Sequence, residues 1–307
     1  MKGSKIAVIG GGFSGLSTAC YLAKAGFEVH VFEQHTVTGG RGRYYSENGF
    51  TFDMGPSWYW MPDVFERFFN DFNRSLSSYY ELIRLDPGYR VFFENDHLDV
   101  AADLKLLYER FDAIEPGSST RLKAFLKEAQ YKYEVGVGNL VYKPGLRLSE
   151  LIDGALFKGL FKLDVFKSLS AHVRKLFKDP RLIQLLEFPV LFLGAKPQKT
   201  PALYSLMNYA DLVLGTWYPN GGMLKIGTSM TALAQELGVQ VHTQSAVKRI
   251  RIQNNRVTGI ELEKGPLDFD AVVSSADYEY TDRVLLGPEH RQYSQSYWSS
   301  RKMAPSS

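Results

Sequence analysis

The chain opens on Ile6-Ala-Val-Ile9, an apolar run with no polar alternation. A run of that kind is the pattern of a short strand buried on both faces of a parallel sheet. Helical spacing follows over 13–25, closed by Gly26, and Glu28-Val-His-Val-Phe-Glu33 reads as a second strand. The order predicts a β-α-β unit. Two strands are expected at 43–46 and 49–52 around Glu47-Asn48-Gly49, then a helix over 62–72 with Val64, Phe65, Phe68, Phe69 and Phe72 on one face. Residues 82–85 and 89–93 flank Asp86-Pro87-Gly88, which predicts a hairpin. Leu104, Leu107, Tyr108 and Phe111 make one helical face; Leu122, Phe125, Leu126, Ala129 and Tyr133 make another. Near the end, Ile226, Met230, Leu233, Ala234 and Leu237 share a helical face stopped by Gly238. Strands are expected at 239–242, 246–252 and 257–262, with Asn254-Asn255 as the turn between the last two. Residues 270–276 read as a strand re-entering the parallel sheet, with Asp277 capping a helix.

The first turn carries chemistry. Gly10, Gly12 and Gly15 fall as G-x-G-x-x-G between strand and helix, and the acid Glu33 ends the second strand. Gly10 permits the tight turn, Gly12 lets a pyrophosphate approach the backbone, and Gly15 lets the helix pack closely. The helix N-terminus, at Phe13 and Ser14, offers N–H groups and a partial positive charge to phosphates. Glu33 can accept from a ribose diol, and its charge disfavours the 2′-phosphate of NADP. A dinucleotide site is therefore expected at Gly10, Gly12, Ser14, Gly15 and Glu33.

Composition sets bounds without changing that picture. The 307 residues suffice for two domains, and the net charge, 36 − 33 = +3, is too small to argue for nucleic acid. The lone cysteine, Cys20, excludes a disulfide within the chain, so an intracellular location is expected and Cys20 reads as packing. No apolar run is long enough to span a bilayer. The six histidines show no metal spacing, and no G-x-S-x-G nucleophile motif occurs. No catalytic acid or base is legible, and no metal site is expected.

Further motifs carry a resemblance. Gly39-Gly40-Arg41 after Glu33 resembles the second fingerprint of the flavoprotein group that includes amine oxidases, Rab escort/GDP-dissociation-inhibitor proteins and carotenoid desaturases. With Phe52-Asp53-Met-Gly55-Pro56-Ser57, Tyr218-Pro219-x-Gly221-Gly222-Met223 and Val273-Ser-Ser-Ala-Asp277, the chain resembles the bacterial phytoene desaturase (carotenoid desaturase) family over its whole length. That resemblance implies an α/β fold: a Rossmann-like, two-part FAD-binding domain interrupted by a mixed, largely helical substrate domain. The implied boundaries are 1–79 and 219–280 for the FAD domain, 80–218 for the substrate domain, and 281–307 for the start of a second substrate segment. It also implies FAD, held by Gly40 and Arg41 at the pyrophosphate, Gly55, Pro56 and Ser57 beside the flavin, and the backbone of Val247 at the adenine. Asp53 is expected to hold its loop as a hydrogen-bond acceptor. Trp58, Tyr59 and Trp60 read equally as core or as the wall of a polyene pocket.

The implied reaction is desaturation of a C40 precursor such as phytoene. The alternatives are another flavin amine oxidase or retinol-saturase-like enzyme, or a non-catalytic isoprenoid carrier. Family members run longer and close on a second glycine-rich motif, so a truncated fragment without activity is a third alternative. The implied partners are a lipophilic polyene and a membrane surface at the inner face of the cell membrane, with the oligomeric state open. Residues 157–178 are basic and amphipathic, with aromatics, which fits either that surface or an ordinary helix with its apolar side on the core.

Overall fold

A computed structural model describes residues 3–143 and 164–301. They form two compact units, one of Met1–Ser57, Asp63–Leu82 and Tyr218–Ser307, the other of Trp58–Pro62 and Ile83–Trp217.

In the first unit four parallel strands lie in the order Ala271–Ser274, Lys5–Ile9, Glu28–Phe32, Gln240–His242. Ile6 to Ile9 are buried, as an all-apolar central strand requires. The helix Phe13–Lys24 buries Gly15, Leu16, Ala19 and Cys20. Burial pushes the Cys20 thiol up to about 12, so it stays protonated and inert, as a packing cysteine should. The chain leaves Lys5–Ile9 towards one neighbouring strand and returns on its other side. Its C-terminal end, at Gly10, is thus where open α/β sheets take their ligands.

The Tyr44–Glu47 and Phe50–Asp53 strands pair antiparallel about Asn48 and Gly49, both at positive φ (50° and 84°). The helices Pro62–Asn70 and Leu224–Glu236 form as the spacing predicts, and the Asp277 carboxylate accepts the Glu279 and Tyr280 N–H groups.

The three strands expected at 239–242, 246–252 and 257–262 all form, and Gln240–His242 extends the parallel sheet. Val247–Gln253 and Arg256–Leu262 take a third antiparallel partner, Gly265–Asp268, which has no alternating pattern to betray it. Pro266 is tolerated because that strand is an edge.

The second unit is mainly helical. Leu104–Ile114, Ser118–Val135, Leu169–Leu176 and Pro180–Glu187 enclose a core around Leu107, Phe111, Leu122, Phe125, Val173 and Leu182. The expected Asp86-Pro87-Gly88 hairpin does not form. Tyr89–Phe92 pairs instead with His97–Val100, and the Gly88 N–H donates to Val100 O while Leu85 N–H donates to Thr216 O. A four-residue turn at 93–96, closed by Phe93 N–H to Asp96 O, supplies the register that the proline turn was expected to supply.

The segment 157–178 resolves differently in its two parts. Residues 157–163 lie outside the described residues. In the remainder, Leu169, Val173 and Phe177 are fully buried in the core while Arg174 and Lys175 face water. That helix is therefore an ordinary surface helix. Among the described residues no helix is long and apolar enough to cross a membrane.

Candidate functional site

The glycine turn builds a cradle of backbone. Gly10 sits at φ +100°, a conformation that glycine alone adopts readily, and its N–H donates to Phe32 O at 2.8 Å. A Cβ on Gly15 would lie 2.0 Å from Gly10 O, so only glycine lets the helix meet the turn there. Gly12 differs. It is the N-cap at an ordinary φ of −78°, has no side-chain cap, and a Cβ there would meet only Gly40 Cα at 3.8 Å. The helix thus opens with its first N–H groups uncapped beside open space, which suits an anion.

A second loop closes on the first. Gly39 N–H donates to Gly11 O at 2.8 Å, and Gly39 and Gly40 are both at positive φ. Gly227 on the Leu224–Glu236 helix backs this loop so closely that a Cβ would stand 2.6 Å from Gly39 Cα. The Thr38 and Thr231 hydroxyls are bonded at 2.7 Å across the same contact. Arg41 is exposed at the loop and its guanidinium has no ion-pair partner among the described residues. Ser14 is tied to Ser275 at 2.8 Å, hydroxyl to hydroxyl.

Glu33 is buried at the end of its strand. One carboxylate oxygen accepts Gly11 N–H at 2.8 Å and the other accepts His35 N–H at 2.9 Å. A carboxylate offers about four lone-pair sites, so roughly two remain for a ribose diol. Val247 is buried, and Glu33 O accepts Ser245 N–H at 2.8 Å, two residues before it. Gly10, Gly12, Ser14, Gly15, Glu33, Gly40, Arg41 and Val247 thus belong to one unit. The open cradle, the exposed cation and the half-used carboxylate fit the ADP part of a dinucleotide.

Gly55, Pro56 and Ser57 leave the same unit's hairpin. A Cβ on Gly55 would lie 2.4 Å from Arg41 O, which locks the two loops together. Asp53 acts as the expected acceptor. Tyr218 Oη donates to its Oδ2 at 2.5 Å and Met223 N–H to its Oδ1 at 3.1 Å, joining the hairpin to the Tyr218–Met223 strip. The nearby carboxylate pushes the Tyr218 hydroxyl up to about 12, so it remains a donor at all ordinary pH. In the sequence Tyr218 is part of a motif but has no legible role, since nothing local ties it to an aspartate so distant in the chain. Tyr218→Phe should lower stability by about 1–2 kcal/mol and Asp53→Ala by about 3 kcal/mol, with a coupling of at least about 1 kcal/mol in the double-mutant cycle, read from urea unfolding. Additive effects would mean that the pair is not a clamp.

In the second unit Tyr59 is core, while Trp58 and Trp60 belong to an aromatic cluster. Trp58 stacks on Trp60 (5.9 Å) and Tyr89 (5.1 Å), and Phe188 and Phe192 stand edge-on to it. Polar groups adjoin that cluster. Trp60 Nε1–H donates to Thr216 Oγ1 (2.9 Å), Thr216 Oγ1 to Asp211 Oδ1 (3.1 Å), and Tyr89 Oη to Asp211 Oδ2 (2.5 Å). Burial raises Asp211 to about 7 although both hydrogen bonds favour its charged form. Burial, with Asp211 beside it, holds the Tyr89 hydroxyl well above its usual range.

Comparison with known proteins supplies the family. The family model for flavin-containing amine oxidoreductases matches residues 13–305. The chain is 38% identical to the carotenoid 3,4-desaturase of Haloarcula japonica over 311 aligned residues, covering 100% of this chain and 62% of that protein. It is 35% identical to the zeta-carotene-forming phytoene desaturase of Myxococcus xanthus, covering 94% and 56%. The chain therefore spans roughly half to two thirds of these relatives. An oxidoreductase from Methanosarcina mazei shares the fold at a TM-score of 0.61 and 21% identity, over 92% of this chain and 61% of that one.

Proposed function

The chain belongs to the flavin-containing amine oxidoreductase family, whose cofactor here is FAD, and from that membership we propose that it serves the desaturation of a C40 carotene such as phytoene. One observation carries the proposal. Similarity to a carotenoid 3,4-desaturase runs through 100% of the chain, including the middle unit, where generic cofactor motifs are absent.

FAD, when bound, would supply the hydride-acceptor chemistry for loss of a hydride from a saturated C–H beside the conjugated segment, the accompanying proton leaving to a base or water. The chain's own residues supply the rest. The uncapped N–H groups at Gly12 to Ser14 and the Arg41 guanidinium would hold the pyrophosphate. Glu33 would orient the ribose, and the Val247 backbone would lie at the adenine, as the resemblance implies. The Asp53–Tyr218 clamp keeps Gly55, Pro56 and Ser57 in place for the flavin. Trp58 and Trp60 give the second unit a half-buried apolar wall suited to a polyene.

The polyene is lipophilic, so the protein works against a membrane, at the inner face in keeping with its single cysteine. The test is expression in bacterial cells that accumulate phytoene, with carotenes separated by chromatography and mass. Products lighter by two hydrogens per step, with absorption moved to longer wavelength, are expected. Protein that carries FAD but leaves phytoene and its partly desaturated derivatives unchanged would overturn the proposal.

A further inference from the structure

Of the two readings open for residues 157–178, the described helix Leu169–Leu176 takes the ordinary one and buries its apolar face, yet the same unit turns another apolar surface to water. Leu191, Phe192 and Leu193 are 57%, 57% and 43% exposed. They end the 3-10 stretch Phe188–Leu193, which Gly194 stops at φ +64° by donating its N–H to Leu191 O. This tip is braced. Pro189 and Val190 are buried beneath it, and the Phe192 ring stands edge-on to Trp58 (5.4 Å), Trp60 (5.2 Å) and Phe188 (5.6 Å).

Positive charge lies directly beside it. Lys196 and Lys199, both exposed, follow within six residues of Leu193. The chain then runs alongside a second exposed aromatic. Leu169 N–H donates to Thr200 O and Ala202 N–H to Lys167 O, which brings Phe166, 94% exposed, to the same edge. Residues 165–178 and 188–210 hold six Lys or Arg and no Asp or Glu.

We propose that the Leu191–Phe192–Leu193 tip inserts into the acyl boundary of an anionic bilayer while Lys196 and Lys199 sit at the lipid phosphates. Apolar residues at the point with lysines just behind them match the depth profile of a membrane interface. A protein partner fits less well. The tip offers on the order of 300 Å², against the roughly 800 Å² per partner of a stable interface, and interface cores are depleted in lysine. The proposal deepens the membrane reading above and is testable apart from the proposed reaction, because vesicle binding needs no carotene.

The whole chain, loaded with FAD, is sedimented with vesicles of phosphatidylcholine alone or with about one third phosphatidylserine. The variant L191S/F192S/L193S should bind anionic vesicles about 100-fold more weakly, since each buried apolar side chain contributes 1 kcal/mol or more. K196Q/K199Q should lose about 30-fold on anionic vesicles, at about 1 kcal/mol per lysine, and little on neutral ones. Flavin absorbance and far-ultraviolet circular dichroism should match the parent in both variants, because Leu191, Leu193, Lys196 and Lys199 are exposed and Phe192 contributes only ring contacts to Trp58, Trp60 and Phe188. A second measurement guards against misfolding: Phe192→Trp fluorescence should be quenched by brominated lipid only when anionic vesicles are present. The proposal falls if the parent does not bind vesicles, if the triple variant binds as the parent does, or if the tip drives self-association in solution instead. A parent that binds vesicles but desaturates nothing would sink the proposed reaction and leave the docking surface standing.

Discussion

Gly15→Ala should abolish tight FAD binding and lower the stability of the cofactor-free protein by about 3 kcal/mol or more. The added Cβ would stand 2.0 Å from the carbonyl oxygen of Gly10, less than a carbon–oxygen contact by over an ångström. The obstruction is backbone on a buried turn, so no side-chain rotation relieves it. The helix Phe13–Lys24 must move off the sheet, and with it go the packing of Leu16 and Ala19 and the aim of the N-terminal N–H groups. Gly12→Ala provides the contrast. Its φ is ordinary and its Cβ would meet nothing nearer than 3.8 Å, so the cofactor-free protein should melt within a degree or two of the parent. The methyl would instead occupy the space a phosphate needs, and FAD affinity should fall by about 100-fold through lost charge-assisted hydrogen bonds. Thermal melts of flavin-stripped protein and flavin fluorescence titrations separate the two. Equal destabilisation by both substitutions would show that the turn is a structural glycine cluster and not a phosphate cradle.

Asp211→Asn should remove a pH dependence worth about 4 kcal/mol and leave the protein more stable than its parent in mild alkali. Burial raises the folded-state carboxyl from 3.8 to about 7. Between those values the folded chain holds a proton that the unfolded chain has released. The stability this supplies is therefore complete below about pH 4 and is lost as the pH rises to about 7. An asparagine keeps an acceptor for Tyr89 and, by rotation of the Thr216 hydroxyl, a donor on the other side, without the charge. The difference in urea stability between variant and parent should move in the variant's favour by about 4 kcal/mol from pH 4 to pH 8; with about 2 kcal/mol lost at every pH to the weaker hydrogen bonds of an amide, the parent leads by about 2 kcal/mol at pH 4 and the variant by about 2 kcal/mol at pH 8. Parallel pH profiles would mean that Asp211 stays ionised in the folded protein.

Much of the first unit was legible because its causes are local. The strand at Ile6 to Ile9, the helix from Phe13, the Asn48-Gly49 and Asn254-Asn255 turns and the Asp277 cap each follow from conformational preferences acting over a few residues. Asp53 could be read as a structural acceptor because a partly buried acid needs partners. The partners themselves could not be read. Tyr218 lies 165 positions from Asp53, and Gly227 meets Gly39 only once a helix and a loop are docked. The Gly265–Asp268 strand carried no alternation, since an edge strand with one outward apolar residue needs none. Asp86-Pro87-Gly88 had good turn chemistry, yet the ladder formed across 93–96, where four residues on each side could pair in register.

The sequence by itself determined the glycine turn, the acid that follows it and the alternation of cofactor-like and helical stretches, because backbone sterics and short-range periodicity depend on neighbours in the chain. Only the tertiary structure decided which apolar faces were spent on the core. Residues 165–178 carry apolar positions among lysines and residues 188–193 are apolar with lysines following, and no local pattern ranks them. Packing buried Leu169, Val173 and Phe177 and left Leu191, Phe192 and Leu193 in water, because a core takes the faces that its backbone arrangement can reach and leaves the rest outside.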